Sequence, residues 1–312
     1  MRYVVWHQNP DTDSYCSALV AAWMLNEMHE DQKYASAIFL WEPNNETRHV
    51  FKQVNLPIPK PTIELPEWSQ IILVDHNEAS QSISNRERYV IDMVIDHHKV
   101  ADFNTSAPLS MRLEPVACTC TILAEMMLEQ IIVPNQGIAE LMIAAIISDT
   151  LYWRSPTTTD RDKEAVSWLN EIAKIDDLEV YANEMFAAKS DLWDMPAADI
   201  VTMDYKTFDF HGHKMGIWVM ETTNPQYAFD RKEDIIDAIH DTKDKQWLDQ
   251  LLFCVVDILN SHTTAFVVSE KEEEIVSGAF GVIVDDGYAD LGDRVSRKKT
   301  IAPPIDEWFG SQ

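Results

Sequence analysis

The sequence predicts an α/β protein. An N-terminal domain with a mostly parallel sheet flanked by helices is followed by a smaller C-terminal α/β domain with a mixed sheet. Two observations carry this expectation. Through the first half, short apolar runs alternate with helical patterns, the rhythm of βαβ units. Past about residue 190 that rhythm gives way to hairpin-like pairs of apolar runs around one long helical stretch. The expected division is a first domain over 1–189, a linker over 190–197 that contains Pro196, and a second domain over 198–312.

The elements follow in order. Val4-Val5-Trp6 is a short buried strand leading through "HQNPDTDS" into a helix over about 16–28. A second strand is expected over 37–41, "AIFLW". "IILV" (71–74) and the run over 90–95 are two more. Helical periodicity then marks 121–131, 138–147, 160–175 and 178–188. In the second half, "YKTFDFHGHKMGIWVMET" reads as a hairpin turning at Gly212, and 232–248 is helical. "LLFCVVDIL" and "TTAFVVS" are strands joined by Asn260-Ser261-His262.

Composition narrows the function classes. The 312 residues are 46% hydrophobic, enough for packed cores. A formal charge of −27 repels nucleic acid and anionic membranes, so neither is an expected partner. No apolar run approaches a membrane span, and the N-terminus enters a strand rather than a signal peptide. Cys16, Cys118, Cys120 and Cys254 lack zinc-type spacing and read as reduced core residues. A cytoplasmic protein is the expectation.

Three expected strands end in the same chemistry. The first runs into His7, Asp11 and Asp13, the second into Asp75-His76-Asn77, the third into Asp96-His97-His98. A helix over "AAIISDT" ends at Asp149. Each stretch alone reads equally well as a polar loop or a helix cap. Jointly they converge, because the carboxyl ends of parallel strands share one sheet edge. Two charges 4 Å apart repel by about 4 kcal/mol at an effective dielectric near 20. Divalent cations are the natural remedy. Mixed His and Asp ligands without thiolate suit Mn2+, Co2+ or Mg2+, and the imidazoles favour Mn2+ or Co2+. Six such side chains can hold two ions with positions left for water and substrate, the outline of a two-metal hydrolase.

In this order and spacing, "HQNPDTDS", "DHN", "DHH" and "SDT" resemble the DHH phosphoesterase superfamily, and closely its family II (manganese-dependent) inorganic pyrophosphatases. The similarity continues through "EPVACTCTIL", "SDTLYWRSPTTTDRD", "DYKTF" and "SRKKTIAPP" and covers nearly the whole chain. The resemblance implies that His7, Asp11, Asp75 and Asp149 hold one metal, and Asp13, Asp75, His97 and Asp149 the other. His98 would face the substrate as the catalytic histidine. Lys206, Arg297 and Lys298 would grip phosphate oxygens, with Asp96 and His76 behind the ligands. It implies two tight Mn2+ or Co2+ sites, Mg2+ as a weaker substitute and as the ion carried with substrate, and a homodimer formed through the N-terminal domain. The implied reaction is hydrolysis of pyrophosphate to two orthophosphates, with a metal-bridging water as nucleophile.

The chain departs from the family pattern at Trp6, where a Gly usually precedes the His, at Ala117, and at Thr300 and Ala302. None of these removes an implied ligand. No insertion interrupts the first domain, which implies a short form without nucleotide-binding modules. The run Arg297-Lys298-Lys299 inverts the field of an acidic chain, which a phosphate leaving group requires. The rival readings are an exopolyphosphatase or another DHH phosphoesterase, and a non-catalytic metal-loaded scaffold. A nuclease is disfavoured because the chain has eight glycines and no Gly-Gly pair.

Overall fold

The structure, a computed structural model, describes residues 1–8, 10–29, 33–59, 65–190, 195–202 and 205–311. The chain divides into two compact units, Met1–Lys189 and Ser190–Gln312.

The first unit runs β1 (Arg2–Val5), α1 (Thr12–Glu27), β2 (Ala35–Ala37), α2 (Asn45–Gln53), β3 (Gln70–Val74), β4 (Val90–Asp96) and β5 (Ser110–Leu113). Four helices complete it: α3 (Thr119–Glu129), α4 (Gln136–Thr150), α5 (Asp160–Ala173) and α6 (Leu178–Lys189). The five strands form one sheet in the order β2-β1-β3-β4-β5, every neighbour parallel. Strand order reverses around β1, so the loops after β1 and β3 leave the same edge side by side, the position where open α/β sheets bind ligands. Val5, Ile71, Leu73 and Val94 form the core on one face of the sheet. Residues of α1 and α4 are buried almost all round, which explains why neither reads as a clean amphipathic stripe.

Three local differences from expectation have physical causes. The second strand is Ala35–Ala37, not 37–41. Phe39 leaves the ladder and packs against the rings of Trp6 and Tyr15, with centroids 4.8 and 5.2 Å apart. Helix α1 starts at Thr12, because Asp11 caps it by accepting a 2.9 Å bond from Ser14 N–H. Helix α2 was not expected; Asn44 caps it, accepting from Thr47 N–H at 2.8 Å.

The second unit contains α7 (Ala197–Thr202), β6 (Tyr205–Phe210), β7 (His213–Thr222), α8 (Gln226–Asp230) and α9 (Lys232–Gln246). It continues with β8 (Gln250–Asp257), β9 (His262–Phe266), α10 (Glu270–Phe280), β10 (Val284–Asp285), β11 (Tyr288–Gly292) and α11 (Ala302–Gly310). The sheet order is β10-β11-β9-β8-β7-β6, antiparallel except for the parallel pair β7 and β8. Alternation along β7 sends Met215, Ile217 and Val219 to one core and Trp218 and Met220 to the other. Helices α10 and α11 cover the first face, α7 and α9 the second.

Of the linker expected over 190–197, residues 191–194 lie outside the described residues. Ser190 is buried and its Oγ accepts from Thr223 N–H at 3.0 Å, while Ala197 already begins α7. All four cysteines are buried and unbonded. Among the described residues no helix is long and apolar enough to cross a membrane.

Candidate metal centre

The ends of β1, β3 and β4 bring His7, Asp75 and His97 together. His7 Nε2 lies 3.3 Å from Asp75 Oδ2 and 3.7 Å from Asp11 Oδ2. His97 Nε2 lies 3.2 Å from Asp75 Oδ1 and 4.0 Å from both Asp13 Oδ2 and Asp149 Oδ2. Among the described residues four groups have donor atoms all within 4.8 Å of one another; two are His7–Asp11–Asp75 and Asp13–His97–Asp149, and another sets Asp13 beside the buried thiols of Cys118 and Cys120. Asp75 also belongs to a group with His97 and His98, so its carboxylate reaches toward both imidazoles. Among the described residues, Asp149 is grouped with Asp13 and His97, not with His7 or Asp11.

Local structure fixes each donor. Asp75 has a left-handed backbone (φ +60°), a costly conformation for a non-glycine residue that turns its side chain back to the sheet edge. His7 Nδ1 donates to Gln8 O at 2.7 Å, and His97 Nδ1 donates to Val116 O at 3.1 Å. Both rings therefore present Nε2 to the carboxylates, as metal-ligating histidines do. Asp13, on the first turn of α1, is fully buried and accepts from Thr119 N–H at 2.6 Å and Cys120 N–H at 3.2 Å. The N-terminus of α3 thus cradles Asp13. Asp149 sits in the last turn of α4, before Leu151 turns left-handed (φ +47°).

The electrostatics are those of a cluster that wants cations. Burial, then the neighbouring charge of Asp75, pushes Asp13 up to about 7. Burial and the carboxylates of Asp13, Asp11 and Asp75 hold Asp149 well above the usual range. Burial opposes the charged form of His7, yet Asp11 and Asp75 raise it to about 11. His97 rises to about 9 against the same burial cost, held by Asp75. Asp75 lies below the ordinary carboxylate range although burial acts the other way, because His7 and His97 both face it. Asp75 Oδ2 is buried and, among the described residues, has only His7 Nε2 facing it at 3.3 Å without a well-formed hydrogen bond, a loss that a bound cation would recover. The donor set of two imidazole nitrogens and four carboxylates fits Mn2+ or Co2+, with Mg2+ a poorer match.

The other expected residues divide. His76 uses both ring nitrogens, donating from Nδ1 to Val74 O and accepting at Nε2 from Ser82 Oγ, each at 2.9 Å. Burial lowers it to about 4, so it is a neutral packing residue behind the cluster. Asp96 accepts from Asn77 Nδ2 at 2.7 Å and holds His98 Nδ1 at 2.9 Å, orienting that ring. His98 is half exposed beside the cluster. Lys206 on β6 and Lys298 are exposed, and Arg297 is partly buried; the last two open the π-helical turn Arg297–Ile301 of the second unit.

Several contributors were not singled out in the sequence. Thr119 donates its hydroxyl to Asp75 Oδ1 at 3.1 Å. Asp162 is fully buried and accepts from Ala117 N–H (3.2 Å), Thr121 Oγ1 (2.6 Å) and Thr159 N–H (2.8 Å), pinning the loop that carries Val116 and Thr119. "TDRD" (159–162) ahead of an apolar periodic run is a legible capping signal for Asp162; its second duty toward Ala117 is not legible there.

Comparison with known proteins gives consistent results. Residues 2–146 match the DHH family, N-terminal domain, and residues 183–308 match the DHHA2 domain. A probable manganese-dependent inorganic pyrophosphatase of Deinococcus radiodurans is 42% identical over 100% of both chains. The manganese-dependent inorganic pyrophosphatase of Methanocaldococcus jannaschii is 37% identical over 99% of both. The crystal structure of a family II inorganic pyrophosphatase candidate from Methanococcus jannaschii superposes with a TM-score of 0.63 at 36% identity, covering 99% of this chain and 100% of that one.

Proposed function

Since this chain belongs to the family II, manganese-dependent inorganic pyrophosphatases of the DHH superfamily, we propose that it hydrolyses inorganic pyrophosphate to two orthophosphates at the cluster around Asp75. The observation that carries the proposal is the pair of donor groups, His7–Asp11–Asp75 and Asp13–His97–Asp149, meeting at one sheet edge with Asp75 facing both imidazoles.

In this reading His7, Asp11 and Asp75 would hold one divalent ion and Asp13, His97 and Asp75 the other, with Asp149 expected from the family resemblance to serve both. Divalent ions held there would supply a lowered pKa for the attacking water and positive charge for the phosphoryl oxygens. Mn2+ or Co2+ would be the ions of the two tight sites, with Mg2+ a weaker substitute and the ion carried with substrate. The chain's own residues do the rest. Gln8 O and Val116 O fix the tautomers of His7 and His97. Asp96 orients His98, and its hydrogen bond raises the His98 pKa, so that His98 can offer a proton to the departing phosphate. The family resemblance gives Lys206, Arg297 and Lys298 the part of gripping phosphate oxygens, for which a guanidinium fork such as that of Arg297 is suited. The working form in this reading is a cytoplasmic homodimer joined through the N-terminal unit, an expectation from family resemblance that sedimentation tests.

The discriminating experiment is phosphate release from pyrophosphate, tripolyphosphate and long-chain polyphosphate, with chelator-treated protein reloaded with Mn2+. Pyrophosphate is expected to be the preferred substrate by at least about tenfold, a difference near 1.4 kcal/mol in transition-state binding. Preference for long chains would make the enzyme an exopolyphosphatase instead.

A further inference from the structure

Glu46 is a buried carboxylate that the proposed reaction does not use. It lies in the first turn of α2 with no exposed surface. One oxygen, Oε2, accepts from Thr12 Oγ1 at 2.8 Å and from Ser148 Oγ at 2.8 Å, with Lys189 Nζ 3.3 Å away. The other, Oε1, is buried with no hydrogen-bond partner among the described residues. An apolar side chain would spare the desolvation of that carboxylate, so something other than packing energy accounts for it. Its partners say what. Thr12 sits between Asp11 and Asp13, and Ser148 immediately precedes Asp149. A single oxygen therefore ties the start of α1 to the end of α4, the two segments that carry three of the four clustered carboxylates. Lys189 balances its charge, so the tie adds no net repulsion to an acidic site.

We propose that Glu46 is a positioning residue whose Oε2 clamps Thr12 to Ser148 and so sets the spacing of Asp11, Asp13 and Asp149 for divalent-cation binding. This rests on the cluster being a metal centre. Groups that orient ligands without touching the ion are worth roughly 10–100-fold in metal affinity. The role demands an acceptor oxygen at that point rather than a negative charge, because both hydroxyls donate to it.

The test is calorimetric titration of Mn2+ alone into chelator-stripped full-length protein, with folding of each variant checked by circular dichroism. Glu46→Met removes the acceptor at similar volume and is expected to weaken the tighter Mn2+ binding by roughly 10–100-fold. Glu46→Gln keeps an oxygen for the two hydroxyls and should restore affinity to within about threefold of the native protein. The double variant Thr12→Val, Ser148→Ala leaves Glu46 in place and should reproduce the Glu46→Met loss. Adding Glu46→Met to it should cost no more than about twofold further, since all three changes break one tie. If Glu46→Met does not fold, the Thr12→Val, Ser148→Ala variant decides. Native Mn2+ affinity in the folded double variant overturns the proposal, as does a lowered melting temperature with unchanged affinity in Glu46→Met. Absence of Mn2+ binding by the native protein overturns the metal centre itself, a separate outcome.

Discussion

Asp75 Oδ1 lies 3.2 Å from His97 Nε2, a side-chain link between the ends of β3 and β4 added to the backbone bond from Asp75 N–H to Ile95 O at 3.0 Å. The same carboxylate faces His7 with its other oxygen. Removing it therefore disturbs both donor groups at once. Asp75→Ala, and Asp149→Ala in the second group, should lower kcat/KM for pyrophosphate by roughly 100-fold or more. His76→Ala should stay within about tenfold, because both His76 nitrogens are spent on Val74 and Ser82. Steady-state kinetics at saturating Mn2+ compares the three, and similar residual rates would refute the ligand assignment.

Lys298 separates substrate charge from metal holding. It is exposed in the second unit and carries the wrong sign for a ligand. Lys298→Ala should reduce turnover by roughly 100-fold, the cost of losing one stabilising contact to developing charge. Bound Mn2+, measured by elemental analysis, should be unchanged. Loss of metal in this variant would contradict the assignment.

Trp6 departs from the glycine that the family resemblance leads one to expect before His7, and its ring is fully buried. It meets Tyr15 at 4.7 Å and Phe39 at 4.8 Å between centroids. Tyr15 in turn meets Phe51 at 5.3 Å. Trp6→Gly should therefore destabilise the protein by about 3–5 kcal/mol or more, through the cavity it leaves, rather than restore a family preference. Urea unfolding gives the difference directly. A neutral outcome would mean that Phe39 and Tyr15 collapse into the space.

Metal should also stabilise the fold. Ions that bind the folded cluster and not the unfolded chain add RT ln(1 + [L]/Kd), about 2.7 kcal/mol at a hundredfold excess over Kd. A rise in Tm of roughly 5–10 °C follows for a protein of this size. Mn2+ or Co2+ should exceed Mg2+ at equal concentration, because two imidazoles favour the softer ions. Scanning calorimetry of chelator-treated protein, with each metal restored in turn, measures this; a Tm indifferent to Mn2+ would show that these residues do not share a metal.

The sequence by itself determined the chemistry of the site edge. His7, Asp75 and His97 follow apolar runs, and parallel strands must end on one edge, so their convergence needed no coordinates. A mostly parallel first sheet and a mixed second sheet were legible for the same reason: alternation of strand and helix patterns is local information. Tertiary structure alone decided the rest. The strand expected over 37–41 is cut short because Phe39 finds better burial against Trp6 and Tyr15 than in the ladder. His76 and His97 are equally plausible imidazoles in sequence, and only the ring contacts separate packing from cluster. Glu46 lies 34 residues from Thr12 and 102 from Ser148, and Asp162 lies 45 from Ala117. Periodicity spans a few residues, whereas a buried carboxylate takes whichever donors packing delivers to it. Its partners are therefore settled only when the helices have docked.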